Sequence, residues 1–154
     1  MATANITIRR ASASDAQAIA DFNIQMAMET EGKKLPPDTI LQGVSNMIAN
    51  PAMGFYLVAE SEGKLAGSLM VTTEWSDWRN GLFWWIQSVY IIREWRRKGI
   101  YRQLYAKVKS LATQEDNVCG YRLYVEKDNQ PAQRTYENLG MNATDYLMYE
   151  EAHT

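Results

Sequence analysis

Residues Gln87–Leu111 read QSVYIIREWRRKGIYRQLYAKVKSL, and the rest of the chain takes its place from this stretch. An apolar segment of strand type comes first, then the basic turn Arg93-Glu94-Trp95-Arg96-Arg97-Lys98-Gly99, then an amphipathic helix. Apolar residues recur at Ile100, Leu104, Val108 and Leu111, with Tyr101, Tyr105 and Ala112 widening the stripe. That period is helical and sets one face on a core. The helix is expected to begin near Gly99, where its first backbone N–H groups have no acceptor within the helix. With the positive end of the helix dipole and the Arg/Lys cluster, they form an anion site suited to phosphate or pyrophosphate. Gly99 lets the backbone approach an oxyanion closely, because it has no Cβ. The plainer alternative is a solvated basic turn that caps an ordinary helix.

The chain has 154 residues, of which 46% are hydrophobic and 22% charged. That length suits one domain, burying about 68–70% of the unfolded surface. No apolar run approaches the ~18 residues that would cross a membrane, and the N-terminal residues form no apolar signal region. The expected compartment is therefore the cytoplasm. A formal net charge of −2 argues against nonspecific nucleic-acid binding, so the basic turn is local. One cysteine, Cys119, and one histidine, His153, exclude an internal disulfide and a zinc site built from these residue types. Cys119 is expected before a strand as a buried small residue. With its only histidine so close to the end of the sequence, the chain is a poor candidate for Ser-His-Asp chemistry.

In chain order, Ile6-Thr7-Ile8 alternates as a first strand. Ser14 to Gln17 reads as a capping box opening a helix with Ala16, Ile19, Ala20, Ile24 and Ala27 inward, to end near Glu29. A loop through Pro36-Pro37 follows, and Asp38 is expected to cap a second helix with Ile40, Leu41, Val44, Met47 and Ile48 inward. Phe55–Glu60 and Leu65–Thr73 form a hairpin around Glu62-Gly63. The loop Glu74–Gly81 closes on Asn80-Gly81, a strong hairpin signal, and Leu82–Tyr90 is the antiparallel partner. After the organising helix come a strand at Tyr121–Val125, a helix from Pro131 to Leu139 stopped by Gly140, and a last strand at Tyr146–Tyr149. The order β-α-α-β-β-β-α-β-α-β predicts a single-domain α/β fold with a mixed central sheet flanked by helices. The helical crossover makes the fourth and fifth strands parallel neighbours.

Arg96-Arg97-Lys98-Gly99-Ile100-Tyr101 resembles the Arg/Gln-x-x-Gly-x-Gly/Ala acyl-CoA pyrophosphate loop of the GNAT superfamily of N-acetyltransferases. Tyr101 departs from the Gly or Ala usual there, so the loop depends on Tyr101 turning along the helix rather than toward the phosphates. A second stretch, Asn129-Gln130-Pro131-Ala132-Gln133-Arg134-Thr135-Tyr136-Glu137-Asn138-Leu139-Gly140-Met141, is similar to the family's Asn-x-x-Ala-x-x-x-Tyr-x-x-Leu-Gly-Phe, with Met141 for Phe. With the order of elements, the resemblance covers nearly the whole chain, 1–154. It implies acetyl-CoA as cosubstrate and no metal. It also implies cofactor binding by the backbone of Val89, Tyr90 and Ile91, by Arg96, Arg97, Lys98, Gly99, Ile100, Tyr101 and Arg102, and by Asn129 and Tyr136. Tyr136 would protonate the departing thiolate, and a backbone N–H near Val89 would polarise the thioester carbonyl. The residues support part of this: Ala132, Tyr136 and Leu139 share one helix face, and phenol and thiol have intrinsic pKa values of about 10 and about 8.5.

Acyl transfer to an amine also needs a base. Relatives often place a carboxylate on the fourth strand, but here that strand reads Trp84-Trp85-Ile86-Gln87-Ser88, and Gln87 cannot take a proton. Glu29, Glu31, Glu74 and Asp77 remain; Glu29 and Glu74, acting through water, are the expected pair. Carboxylates with Trp75, Trp78, Trp84 and Trp85 favour a cationic amine, small molecule or peptide, through charge and cation–π contact. Glu29, Glu31, Trp75 and Trp85 are its expected contacts. Exposed tryptophans would equally serve a homodimer interface. The alternatives are a noncatalytic acyl-CoA-binding regulatory domain on the same fold, and a nucleotide-phosphate module. The second lacks both Gly-x-x-x-x-Gly-Lys-Ser/Thr and Gly-x-Gly-x-x-Gly.

Overall fold

The computed structural model describes residues 5–153. The chain divides into two compact units, Met1–Leu123 and Tyr124–Thr154. The first holds β1 (Thr7–Arg10), α1 (Ala16–Glu31), α2 (Pro37–Ala49), β2 (Gly54–Ser61), β3 (Lys64–Ser76), β4 (Gly81–Ile91), α3 (Ile100–Ala112) and β5 (Val118–Arg122). The second holds α4 (Gln130–Asn138). The fold is α/β, with a five-stranded sheet in the order β1-β2-β3-β4-β5. Its first four strands are antiparallel neighbours, and β5 lies parallel to β4.

The sheet of the first unit is covered on both faces. Tyr56 and Val58 of β2 pack with Ala16, Ile19 and Ala20 of α1 and Val44 of α2. Alternate strand residues point to opposite faces, so Leu57 looks the other way, and α3 packs against β1, β2 and β3. Leu57, Leu69, Leu104 and Val108 are fully buried, each contributing about 1.5–3 kcal/mol of apolar burial. The amphipathic stripe expected of α3 is thus its core face. Arg9 clips the opening of α1, donating to Asp15 (2.8 and 3.0 Å) and to Glu60 (3.1 Å). Arg9 holds the Asp15 carboxyl below its ordinary value.

Several expected boundaries move. The capping box lies at Ser12 rather than Ser14 and opens a short 3-10 turn, Ala13–Asp15, in which Asp15 reaches back to accept from the Ser12 N–H at 2.8 Å; α1 follows with Asp15 as its own N-cap. Asp38 sits in the first turn of α2, whose N-cap is Pro36. Glu74 and Trp75, expected in a loop, lie in β3 opposite Phe83 and Leu82, because the ladder runs on to the Asn80-Gly81 turn. β5 starts at Val118 rather than Tyr121. Cys119 is accordingly within it and exposed, not buried before it. Tyr146–Tyr149 is not a strand. The unit that holds it has no strand among the described residues, and without a ladder partner a four-residue apolar run has nothing to make it β.

One close approach fixes β3 against β4. A Cβ on Gly67 would stand 2.6 Å from the Tyr90 carbonyl oxygen and 2.7 Å from Ile91 Cδ1. Backbone cannot give way as a flexible side-chain end can, so Gly67→Ala is expected to cost about 1–3 kcal/mol by overpacking. The check is a lowered urea midpoint with an unchanged slope.

Candidate active site

The site starts where β4 and β5 part. They pair at Leu82–Val118, Phe83–Gly120, Trp84–Tyr121 and Trp85–Arg122. β5 ends there, while β4 continues to Ile91 along β3. Past Trp85, one edge of β4 has no strand beside it. On this stretch Gln87 stands opposite Met70 and Tyr90 opposite Ser68, so Ser88 and Val89 together face Leu69. That is a β-bulge, and Ser88 takes the left-handed φ of 52° within it. A bulge bends its strand and turns backbone groups out of the ladder, leaving peptide groups around Val89 for a bound chain.

The basic turn lies at the end of this open edge. A short 3-10 turn, Arg93–Trp95, leads to Arg97 and Gly99, both left-handed (φ 62° and 78°), and α3 begins at Ile100. Nothing lies within 4 Å of where a Gly99 Cβ would be, so the approach to the first turn of α3 is open. Arg97, Lys98 and Arg102 are exposed, and Lys98 lies over the Trp95 ring at 5.2 Å. Helix terminus, open glycine and cations fit a pyrophosphate. The Tyr101 ring stacks on Tyr105 at 6.1 Å between centroids. It lies along α3, the orientation on which the loop resemblance depends.

Arg96 is differently employed. Its Nε donates to the Ile91 carbonyl (2.8 Å) and its Nη2 to Glu29 (2.9 Å), with the guanidinium over the Tyr90 ring at 5.3 Å. Glu29 also accepts from the Tyr90 hydroxyl (2.9 Å) and faces Arg93 at 3.7 Å. The Arg96 hydrogen bond, helped by the Tyr90 bond and the arginine charges, holds the Glu29 carboxyl below its ordinary value against a partial desolvation. Desolvation, then Glu29, pushes the Tyr90 phenol up. Glu29 therefore stays ionised and is a weaker base than a free glutamate.

Glu74 marks where the strands part. It accepts from Trp85 Nε1 (3.0 Å) and Arg122 Nη1 (2.7 Å), the last residues paired between β4 and β5. The Arg122 guanidinium carbon lies over the Phe83 ring, 3.6 Å from its centroid. Trp75 and Trp78 are exposed. Trp84 offers no face to a ligand: it is 4% exposed and meets Phe55 edge-on. Glu31 is exposed beside Lys33 at 3.7 Å. Sequence reasoning missed Arg122, Gln25 (whose side-chain amide lies 3.1 Å from the Tyr90 hydroxyl) and the bulge at Ser88; only a lone serine in an apolar strand hinted at the last.

In the second unit Asn129 caps α4, its Oδ1 accepting from the Ala132 N–H at 3.3 Å. Gln133 reinforces that end by donating to the Lys127 carbonyl at 2.8 Å. Gly140 closes the helix with φ 103°, and the Met141 N–H returns to the Tyr136 carbonyl at 3.0 Å. Burial pushes the Tyr136 phenol above its ordinary value of 10.0, further from ionisation at neutral pH. Among the described residues no group of three His, Cys, Asp or Glu is placed to hold a metal ion, and no helix is long and apolar enough to cross a membrane.

Comparison with known proteins agrees with this fold. The sequence model of the Acetyltransferase (GNAT) family matches residues 20–141. A possible acetyltransferase from Clostridium difficile 630 is 46% identical, with a TM-score of 0.90 over 97% of this chain and 98% of that one. Two more distant structures share the fold. One is aminoglycoside N-acetyltransferase AAC(6')-Iy in complex with CoA, 13% identical, TM-score 0.79, covering 99% of this chain and 98% of that one. The other is a predicted acetyltransferase with acetyl-CoA from Clostridium acetobutylicum, 16% identical, TM-score 0.77, covering 96% of each. Among curated protein sequences no relative matches the chain.

The Glu29 ion pair carries a pH signature. A carboxylate whose folded pKa is depressed stabilises above its unfolded pKa and loses that contribution as pH falls through the folded one. Wild type is therefore expected to outlast Glu29→Gln in thermal melts at pH 7. The gap should close as pH drops through and below the ordinary glutamate value of 4.5. It will be modest, because Arg96 is 40% exposed and solvent screens the pair. A gap that stays constant down to pH 3 would exclude the ion pair.

Proposed function

This chain belongs to the acetyltransferase (GNAT) family, and on that premise we propose that it moves an acetyl group from acetyl-CoA to a primary amine by direct transfer in a ternary complex. The observation that carries the reading is the continuity of one path. A bulged strand edge without a neighbour leads directly into a basic, glycine-ended turn at a helix N-terminus. Residues 1–154 act as one acyltransferase domain, in the cytoplasm, as a homodimer.

In this mechanism Arg97, Lys98, Gly99, Ile100, Tyr101 and Arg102 hold the pyrophosphate, chiefly through main-chain N–H groups and exposed cations. Arg96 shapes the turn from behind, through Ile91 and Glu29. Val89, Tyr90 and Ile91 take the pantetheine arm as an added strand, by main-chain pairing. Acetyl-CoA supplies the activated acyl group. A backbone N–H at Val89 stabilises the charge that develops on the carbonyl oxygen. Tyr136, its phenol pushed up by burial, gives its proton to the departing sulfur, and Asn129 orders the start of its helix.

The acceptor amine arrives toward the other end of the open edge, beside Glu74, Trp75 and Trp85; Glu29, expected there with Glu31, is instead bonded to Tyr90 and Arg96 at the turn end. Its proton passes to water held by Glu74. Glu29 is a weaker base than a free glutamate because Arg96 holds it ionised. A carboxylate and an exposed indole suit a cationic amine, small molecule or peptide. The alternative, a noncatalytic acyl-CoA-binding regulatory domain, draws on one observation: both candidate carboxylates are already bonded to arginines.

Thiol release from acetyl-CoA, screened over polyamines, aminoglycosides, amino acids and peptide N-termini, separates the two readings. The enzyme releases thiol with at least one class, and the regulator with none. Tyr136→Phe is expected to lower kcat by about 100-fold or more while the KM for acetyl-CoA stays within about twofold, because the phenol acts in the transition state. Gly99→Val is expected to weaken coenzyme A binding at least about tenfold, the equivalent of 1.4 kcal/mol, in calorimetry run beside a thermal melt. Unchanged affinity in a folded variant would remove the pyrophosphate from this turn.

A further inference from the structure

The cofactor path has an arm half, the main chain of Val89, Tyr90 and Ile91, and a phosphate half, the turn at Arg97, Lys98 and Gly99 with the start of α3. The segment between them, 92–96, holds only a short 3-10 turn. Ile92 is tied to β3, its N–H donating to the Ala66 carbonyl at 2.9 Å. The next backbone bonds are local: the Trp95 N–H donates to the Ile92 carbonyl at 3.0 Å and the Arg96 N–H to the Arg93 carbonyl at 3.2 Å. Neither holds the turn against β4.

Side chains supply that tie. Arg96 Nε turns back to the Ile91 carbonyl (2.8 Å), Arg96 Nη2 donates to Glu29 Oε2 (2.9 Å), and the Tyr90 hydroxyl donates to Glu29 Oε1 (2.9 Å). Because Tyr90 and Ile91 are adjacent, these bonds close a circuit from the end of β4 to the turn and back. Glu29 is its one member from elsewhere, in the last turn of α1. That helix is seated on the sheet through Ile19 and Ala20, and its Phe22 ring lies 5.5 Å from the Tyr90 ring. Each carboxylate oxygen serves one donor, which an amide with a single acceptor oxygen cannot match. The Gln25 amide, 3.1 Å from the same hydroxyl, leaves the phenol proton to Glu29 when its NH₂ faces the phenol oxygen.

The geometry points to Glu29 as a positioning residue for the cofactor: through Arg96 it sets the distance between the strand edge that takes the pantetheine arm and the turn that takes the pyrophosphate. The inference rests on the acyl-CoA reading of the site. Coenzyme A engages both halves with one molecule, so its second contact is intramolecular, and that advantage disappears when the spacing forbids both at once. Loosening the circuit therefore weakens the whole cofactor and spares a fragment that uses one half. Two other roles behave differently. A residue that only keeps the turn folded would move whole and fragment together. A carboxylate that competes with phosphate for Arg93 and Arg96, which it faces at 3.7 and 2.9 Å, would on removal tighten both.

Calorimetric titrations of the full chain with coenzyme A and with 3′-phospho-ADP, which has the pyrophosphate but no arm, make the test. They compare wild type, Glu29→Ala, Arg96→Ala and the double variant. Glu29→Ala is expected to weaken coenzyme A about tenfold, part of the roughly 100-fold or more that joining two sites contributes, and to leave 3′-phospho-ADP within about twofold. Arg96→Ala is expected to show the same split, and the double variant to be no worse than Arg96→Ala, because Glu29 acts through Arg96. A partly unfolded variant does not blur the result: a smaller competent fraction lowers both affinities by one factor, which cancels in their ratio. Equal losses for the two ligands, gains for both, or no change in either overturns the positioning role. Fragment binding lost only in Arg96→Ala would return Arg96 to the phosphates and overturn its part as intermediary. A wild type that binds neither ligand overturns the acyl-CoA reading itself, whereas a wild type that binds both while the variants lose both equally overturns this inference alone.

Discussion

A strand that stays with one neighbour and leaves the other is the constraint on which this molecule depends. β4 follows β3 to Ile91 but follows β5 only to Trp85. Fewer than all its peptide groups are consumed by the sheet, and groups left unpaired must find water or a ligand. The bulge at Ser88 and Val89 fixes where this happens. Gly67 lets β3 remain close enough to hold the bulged strand in place. The left-handed Ser88 (φ 52°) is uncommon for a residue with a side chain, and such geometry persists only where the surroundings over-determine it.

Electrostatics then divides the two carboxylates by task. Glu29 is bonded to Tyr90 and Arg96 at once, joining the end of α1 to the end of β4 and to the basic turn. Its charge is spent on structure. Glu74 receives Trp85 and Arg122 at the parting of the strands and remains 44% exposed, so water reaches it.

Much of this could be read in the residues. The period of Ile100, Leu104 and Val108 and the glycine before them located α3 and its basic cap, because local signals and the tertiary fold agree there. Pro131 and Gly140 bracketed α4 for the same reason. β5 was displaced because Tyr121–Val125 has the stronger strand propensity, while Val118-Cys119-Gly120 is β only by lying against β4, with Gly120 admitting the Phe83 ring. β3 and β4 outran their expected ends because cross-strand pairs such as Trp75–Leu82 extend a ladder past its turn residues. The partners of Glu29 lie more than sixty positions away, and no local pattern announces a bond of that range.

The bulge in β4 has one more consequence. What it presents is main chain, common to all residues, so replacing the side chains of Ser88 and Val89 one by one leaves the donor in place. Alanine scanning is blind to it. Only a change to the peptide link itself, an ester at that position or an imino acid without a hydrogen to give, would delete the group, and a comparison of sequences would never single it out.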